Sequence, residues 1–295
     1  MNTSDSNRKF RLSGNWMVFM AAVFWSLNAP LVKFIQLDPI FLCGFRALIA
    51  GIALCPFIRF KKLNFSPWML VYFVSHFALG MTLIFALKNT SAAIAVGMQY
   101  TAMIWIFLVN AIITRKFSMK RFFPVLLTFS GVICFMLSGF GGGNMIGNIV
   151  AFTEGIAFAM MTASSQKAGG DNPMGLTALA NLCTGFFIFL FLPPQFSDIL
   201  QLGGQEWLIM LILGVVQVGL GYGFYNIGVQ RTTAQKASIL AIWEMILGPL
   251  WVALFLKEYP SALEMAGFVI IIVGLVTDAL MKKSPEETKA VCADK

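Results

Sequence analysis

The sequence predicts an all-α integral membrane fold, with ten transmembrane helices set as two inverted five-helix repeats and both termini cytoplasmic. Three observations carry that expectation. The 295 residues are 58% hydrophobic and only 12% charged, against about 25% charged in soluble domains, so one soluble core cannot hide the apolar surface and a bilayer must solvate it. Apolar windows of spanning length recur along the whole chain. Basic residues gather at alternate connections, and short segments of the first half return in the second.

About 20 mostly apolar residues cross a bilayer, and ten windows qualify: 15–35, 39–58, 68–87, 92–113, 122–140, 146–165, 174–193, 207–227, 237–256 and 262–281. The first follows Arg8-Lys9 and imitates a secretory signal, but it is long enough to span and more spans follow, so it reads as a retained first helix. Ser261-Ala-Leu-Glu264 has capping-box spacing and starts the tenth helix. Pro30 and Pro249 fall inside the first and ninth helices, where each removes a backbone hydrogen bond and is a hinge candidate. Gly219 and Gly223 form a GxxxG in the eighth, expected to allow close packing within the monomer. Gly141-Gly-Gly-Asn144 lacks the GK[ST] ending and preceding strand of a phosphate loop, and reads as an outer linker. The resulting organisation is a cytoplasmic segment 1–14, a first repeat 15–140, an outer linker 141–145, a second repeat 146–281 and a cytoplasmic tail 282–295.

The net charge of +8 does not point to nucleic acid, because the basic residues lie in clusters between apolar runs and not along one face. With the amino terminus inside, cytoplasmic segments collect Arg8, Lys9, Arg11, Arg59, Lys61, Lys62, Arg115, Lys116, Lys120, Arg121, Lys167, Arg231, Lys282 and Lys283. Outer segments hold Lys33, Lys88 and Lys257. This is the positive-inside pattern. The five cysteines show no metal-ligand spacing, and four lie within apolar runs, so neither a disulfide framework nor a metal is expected.

Internal similarity supports two copies. Ala86-Leu-Lys-Asn-Thr-Ser-Ala-Ala-Ile-Ala95 aligns with Gly228-Val-Gln-Arg-Thr-Thr-Ala-Gln-Lys-Ala237. Downstream, one residue out of step, Ser118 aligns with Ser261 and Gly131 with Gly274, and Gly14-Asn15 resembles Gly147-Asn148. Five helices per copy is odd, so the second copy enters the membrane from the opposite side. Inverted repeats give carriers two exchangeable conformations around a midplane site.

Charged side chains inside a bilayer are costly and mark ion or substrate paths by default. Glu154 and Glu244 each lie about eight residues into their windows and are the proton-coupling candidates. A structural carboxylate, satisfied by Trp243, a hydroxyl or Arg46, is the alternative reading. Arg46 reads slightly better as a structural ion pair than as the clamp for a substrate carboxylate, which a planar guanidinium holds well. His76, beside Ser75, reads as a packing histidine more than as a proton relay. Asn28, Gln99, Tyr100, Thr101, Gln217, Tyr222, Tyr225, Asn226 and Trp243 lie at similar depths, and a subset should face the bundle interior. With Trp25, Arg46 and His76, the cavity candidates are Asn28, Gln99, Tyr100, Tyr222, Asn226 and Trp243.

Phe24-Trp25-Ser26-Leu27-Asn28 with Lys33, Phe45-Arg46, and Glu244 with Pro249 and Phe255-Leu256-Lys257-Glu258 resemble the drug/metabolite transporter superfamily, in its ten-span branch of two EamA-type domains. The resemblance runs from about Asn15 to Lys283. It departs at Thr114-Arg115, where the second copy has Lys257-Glu258, and at Met103, where the first copy often has proline. It implies a central cavity and export, or occasionally uptake, of amino acids, metabolites or drugs. The resulting expectation is a multi-pass plasma-membrane transporter of a bacterial inner membrane, without cofactor, exporting amino acids or related small metabolites with protons as the candidate driver. Monomer and homodimer stay open. Efflux of cationic or lipophilic drugs is the alternative, and an intramembrane lipid-modifying enzyme is the alternative of another class. The sequence carries no GxSxG, paired-aspartate or HExxH motif for the latter.

Overall fold

The computed structural model describes residues 13–115, 119–138, 145–168, 171–192, 202–232 and 234–281. The expectations for the amino-terminal segment through residue 12, Ser118, the linker at 141–144 and the tail from 282 fall outside them.

The regular elements described are helical. Helix α1 (Gly14–Ser26) is capped by Ser13, whose hydroxyl accepts from the Trp16 N–H, and it resumes after Leu27 as α2 (Asn28–Phe34). Pro30 explains the break, since a residue without an N–H leaves the Ser26 carbonyl without its helical donor. Helix α3 (Pro39–Leu54) starts on the Asp38 carboxylate, which accepts from Ile40 and Phe41 N–H. Helix α4 (Pro67–Asn89) follows. Helices α5 (Ala92–Gln99) and α6 (Ala102–Thr114) form a second interrupted rod, parted at Tyr100-Thr101. Then come α7 (Met119–Ser138), α8 (Met145–Ala168) and α9 (Pro173–Phe191). The next rod is composite: α10 (Gly204–Leu211), a π-helix over Ile212–Leu220 and α11 (Gly221–Val229). Helix α12 (Ala234–Leu256) runs unbroken through Pro249. Helix α13 (Ala262–Leu280) starts on the expected capping box, with Ser261 and Glu264 satisfying each other's backbone donors.

Among the described residues nine helical rods are long and apolar enough to cross a membrane, and Phe122–Ser138 is a shorter apolar helix. The fifth window is thus shorter than expected. Met119 and Lys120 begin the same helix ahead of that apolar stretch, and residues 139–140 lie outside the description. The interior is an apolar core that encloses a minority of polar side chains, and the outer face is apolar. Glu154 is fully buried while Ile112 and Phe255 are more than 70% exposed, the arrangement required where hydrocarbon is the solvent. The chain is a multi-pass membrane protein.

Four contacts recur between the halves. Gly51 packs against Leu182, and Gly185 against Leu48. Gly131 packs on Gly267 and Ile271, and Gly274 on Pro124 and Thr128. Gly14 abuts the Arg231 backbone, and Gly147 the Asn89 backbone. Thr232 donates to Asn15 Oδ1, and Thr90 to Asn148 Oδ1 at 2.5 Å. Equivalent residues of the two halves are offset by 133 or 134 positions at Gly14, Asn15, Leu48 and Gly51, and by 142 or 143 at Asn89, Thr90, Pro124, Thr128 and Gly131. Contacts that climb α3 descend α9, and those that climb α7 descend α13, so these helices pack antiparallel.

Candidate functional site

Two polar clusters lie in the bundle interior. The first is built on Arg46, 5% exposed on α3. Its Nη1 donates to Asn28 Oδ1 at 2.7 Å and to Gln217 Oε1 at 3.3 Å. Among the described residues no carboxylate lies within ion-pair distance of it; the ion pair found there joins Lys33 to Glu258 at 2.9 Å. The structural ion pair favoured from sequence is therefore not formed, and neutral amide oxygens hold the buried cation. Asn28 can reach Arg46 because the break at Leu27 turns the first residue of α2 inward. Gln217 reaches it from the π-helix.

An aromatic and amide wall adjoins this cation. The Trp25 ring lies 4.9 Å from Tyr222 and 4.8 Å from Tyr225, and His76 meets Tyr222 edge-on at 5.0 Å. Asn226 Nδ2 donates to Thr177 Oγ1 at 2.7 Å and to Tyr72 Oη at 3.3 Å. Asn181 stands within hydrogen-bond reach of His76. Ser75 instead bonds back to its own helix at Val71 and Tyr72. Three buried polar atoms of this wall, Trp25 Nε1, Asn28 Nδ2 and His76 Nδ1, have no hydrogen-bond partner among the described residues.

The second cluster is acidic. Glu244, on α12 and 4% exposed, accepts from Gln99 Nε2 at 3.3 Å, and its Oε2 lies 2.9 Å from Tyr100 Oη. Tyr100 Oη also lies 2.7 Å from the Ala241 carbonyl. Gln99 and Tyr100 sit at the α5–α6 break, so an unwound turn faces the carboxyl group. Glu154, on α8, lies in electrostatic reach of Glu244, and both its carboxyl oxygens lack a protein partner. The next residue, Gly155, presses on Thr101 at the same break.

The structure brings together Trp25, Asn28, Arg46, His76 and Tyr222 on one side and Gln99, Tyr100, Glu154 and Glu244 on the other, while Asn226 joins the wall through Tyr72. Trp243 does not join them. It is 43% exposed on the outer face and packs on Phe19, because one helical step of about 100° from inward Glu244 turns it toward lipid. Of the two prolines, Pro30 coincides with a break and Pro249 does not. Gly219 and Gly223 face Leu54 and Met174 respectively, within the monomer. Among the described residues the ring and amide side chains of the two clusters pack on one another. A shallow, open recess lies at the end of the bundle, lined by Ser91, Ala92, Ala93, Pro249, Val252, Glu258 and Pro260.

Sequence reading missed Tyr72, Thr177 and Asn181. Tyr72 precedes His76 by one helical turn, and Thr177 precedes Asn181 by one. Two polar residues at that spacing in an apolar window were the available signal.

Comparison with known proteins identifies the family and the fold. An uncharacterized transporter of Archaeoglobus fulgidus is 21% identical over 263 residues, covering 89% of this chain and 95% of its own length. A second uncharacterized transporter, from the sor 3' region of Acidianus ambivalens, is 24% identical over 206 residues, covering 68% of this chain and 78% of its own. A solved crystal structure, 18% identical, covers 90% of this chain and 97% of its own at a TM-score of 0.63, which is likeness of fold. The model of the EamA-like transporter family matches residues 12–137 and again 145–277, so the chain belongs to the EamA-like transporter family.

Proposed function

We propose that this protein is a secondary active exporter of amino acids or related small amphoteric metabolites, working by alternating access with protons as the coupling ion. The observation that carries the proposal is Arg46, a buried cation whose partners among the described residues are neutral, facing a bundle interior that also holds two buried glutamates. Burying a charge without a counter-ion is costly, and a substrate carboxylate offsets that cost with a bidentate pair. A substrate ammonium is met by Glu244 and Glu154.

Hydrogen-bond counting supports proton exchange at Glu244. Tyr100 has one hydroxyl proton and two acceptors in range, Ala241 O and Glu244 Oε2. A protonated Glu244 donating to Tyr100, with Tyr100 donating to Ala241, satisfies all three. Glu154, without a donor at either oxygen, is the second proton site.

The antiparallel packing of α3 on α9 and of α7 on α13 supports two inverted repeats, with residues 15–140 and 146–281 exchanging roles during transport. Ten spans follow if Phe122–Ser138 crosses as the fifth. Lys62 O accepts from the Asp171 N–H and Lys167 O from Asn64 Nδ2, so the basic connections at 59–62 and 167 meet at one end of the bundle, which supports cytoplasmic termini in a bacterial plasma membrane. The opposite end is tied shut by Lys33, which also donates to Thr90 O at 2.9 Å, and by Glu258, which accepts from the Ala92 N–H at 3.1 Å.

Efflux of cationic drugs is the second reading, favoured by the Trp25, Tyr222 and Tyr225 rings beside two acids. Flux of labelled amino acids and of a cationic dye into proteoliposomes separates the two. Amino-acid flux lost in Arg46→Ala supports the first reading. Dye flux with no amino-acid flux overturns it.

A further inference from the structure

We infer that Gln217 is the specificity-determining residue of the Arg46 site: its amide oxygen holds the position on the guanidinium that a substrate carboxylate takes. The inference rests on the proposed role of Arg46.

The two amide acceptors on Arg46 are unequal. Asn28 Oδ1 at 2.7 Å is short, whereas Gln217 Oε1 at 3.3 Å lies just past the usual N–H···O range. Gln217 is therefore the partner that yields. It is 3% exposed, so when it leaves Arg46 its amide needs another place.

The backbone supplies one. Gln217 lies inside the π-helix Ile212–Leu220, a conformation rare in length and concentrated at functional sites. Gly214 of that segment packs directly on the turn bearing Arg46: a Cβ there would stand 3.0 Å from the Arg46 carbonyl and 2.5 Å from Ile49. That approach sets Gln217 at the level of the guanidinium. Tightening the π-helix to an α-helix changes the register of its residues by one and rotates Gln217 away, while Asn28 remains.

Selectivity follows from charge. A carboxylate replaces a neutral amide with a charge-assisted, planar match to Arg46. An amine without a carboxylate gains nothing by displacing Gln217. Gln217 thereby acts as a resident competitor that only anionic groups outmatch, discrimination by opposing the wrong ligand.

The test uses the full-length purified protein with the twenty proteinogenic amino acids as probes, reading ligand-induced thermal shift, and then the decarboxylated amine of each one that binds. Gln217→Glu, which fixes a carboxylate on Arg46, is expected to weaken amino-acid binding by about tenfold or more and to leave or strengthen binding of the amine. Gln217→Leu, which removes the competitor, is expected to tighten the amino acid several-fold and narrow its advantage over the amine. Wild-type amino-acid affinity in Gln217→Glu, or equal changes for amino acid and amine in both variants, overturns the assignment of Gln217 alone. Amino-acid binding that survives Arg46→Ala, or is absent in the wild type, overturns the Arg46 reading and this inference with it.

Discussion

Arg46 Nη1 donates to Asn28 Oδ1 across 2.7 Å, which ties the buried cation of α3 to the first residue after the break in the α1–α2 rod. Ser26, the residue before the break, is held too. Its hydroxyl donates to Val23 O at 2.7 Å and accepts from Trp251 Nε1 at 3.1 Å. A ligand on Arg46 therefore acts next to an interrupted helix, where backbone rotation meets least resistance.

Arg46→Lys should fail nearly as badly as Arg46→Ala in amino-acid flux. An ammonium offers no planar fork and cannot hold Asn28 and a carboxylate in the same geometry. Both variants should lose about tenfold or more in transport efficiency, measured as initial rates in proteoliposomes. Near-wild-type flux in Arg46→Lys would show that charge alone suffices.

Trp243→Leu should leave transport unchanged within about twofold, a change under about 0.5 kcal/mol, because its ring faces outward beside Phe19 and not the polar interior. Parallel measurement of Trp25→Leu, whose ring is 3% exposed against Tyr222 and Tyr225, should show a marked loss. Reversal of that order would mean that ligand passes along the outer face.

Gly131→Ala should destabilise the fold by about 1–3 kcal/mol. Its new methyl would stand 2.7 Å from the Gly267 carbonyl oxygen, a backbone atom, and 2.6 Å from Ile271. A lowered thermal-unfolding midpoint checks this. An unchanged midpoint would mean that α7 and α13 separate freely.

Glu258→Gln should loosen the end of the bundle that Lys33 and Glu258 tie together. Ala93 lines the recess beside them and is 2% exposed. A cysteine placed there in an otherwise cysteine-free protein should label several-fold faster with a polar maleimide in the Glu258→Gln background. Equal labelling would assign the ion pair a role in folding and not in closure.

Much of this was legible in the sequence because hydrocarbon imposes simple rules. Window length, the deep Glu154 and Glu244, and Arg46 each follow from the cost of polar groups in lipid. The Gly14-Asn15 and Gly147-Asn148 matches are now explained by equivalent contacts with Thr232 and Thr90. The break at Tyr100 was not legible, since neither proline nor glycine marks it and the cause is tertiary, Gly155 of α8 pressing on Thr101. The π-helix carries no local signal either. Arg46 misled because one chain read alone does not say which acceptor meets a cation, and distant Gln217 arrives there only through packing. Trp243 misled because depth in the membrane was read without direction around the helix.

Glu244→Gln is the most direct test of proton-coupled transport. The amide keeps the volume and an N–H donor for Tyr100 Oη but cannot ionise. Flux of labelled amino acids into proteoliposomes should be gradient-driven in the wild type and should lose that drive in Glu244→Gln, while exchange of internal for external substrate at equal pH persists. Gradient-driven accumulation at the wild-type rate in Glu244→Gln would contradict the assignment of Glu244 as proton carrier.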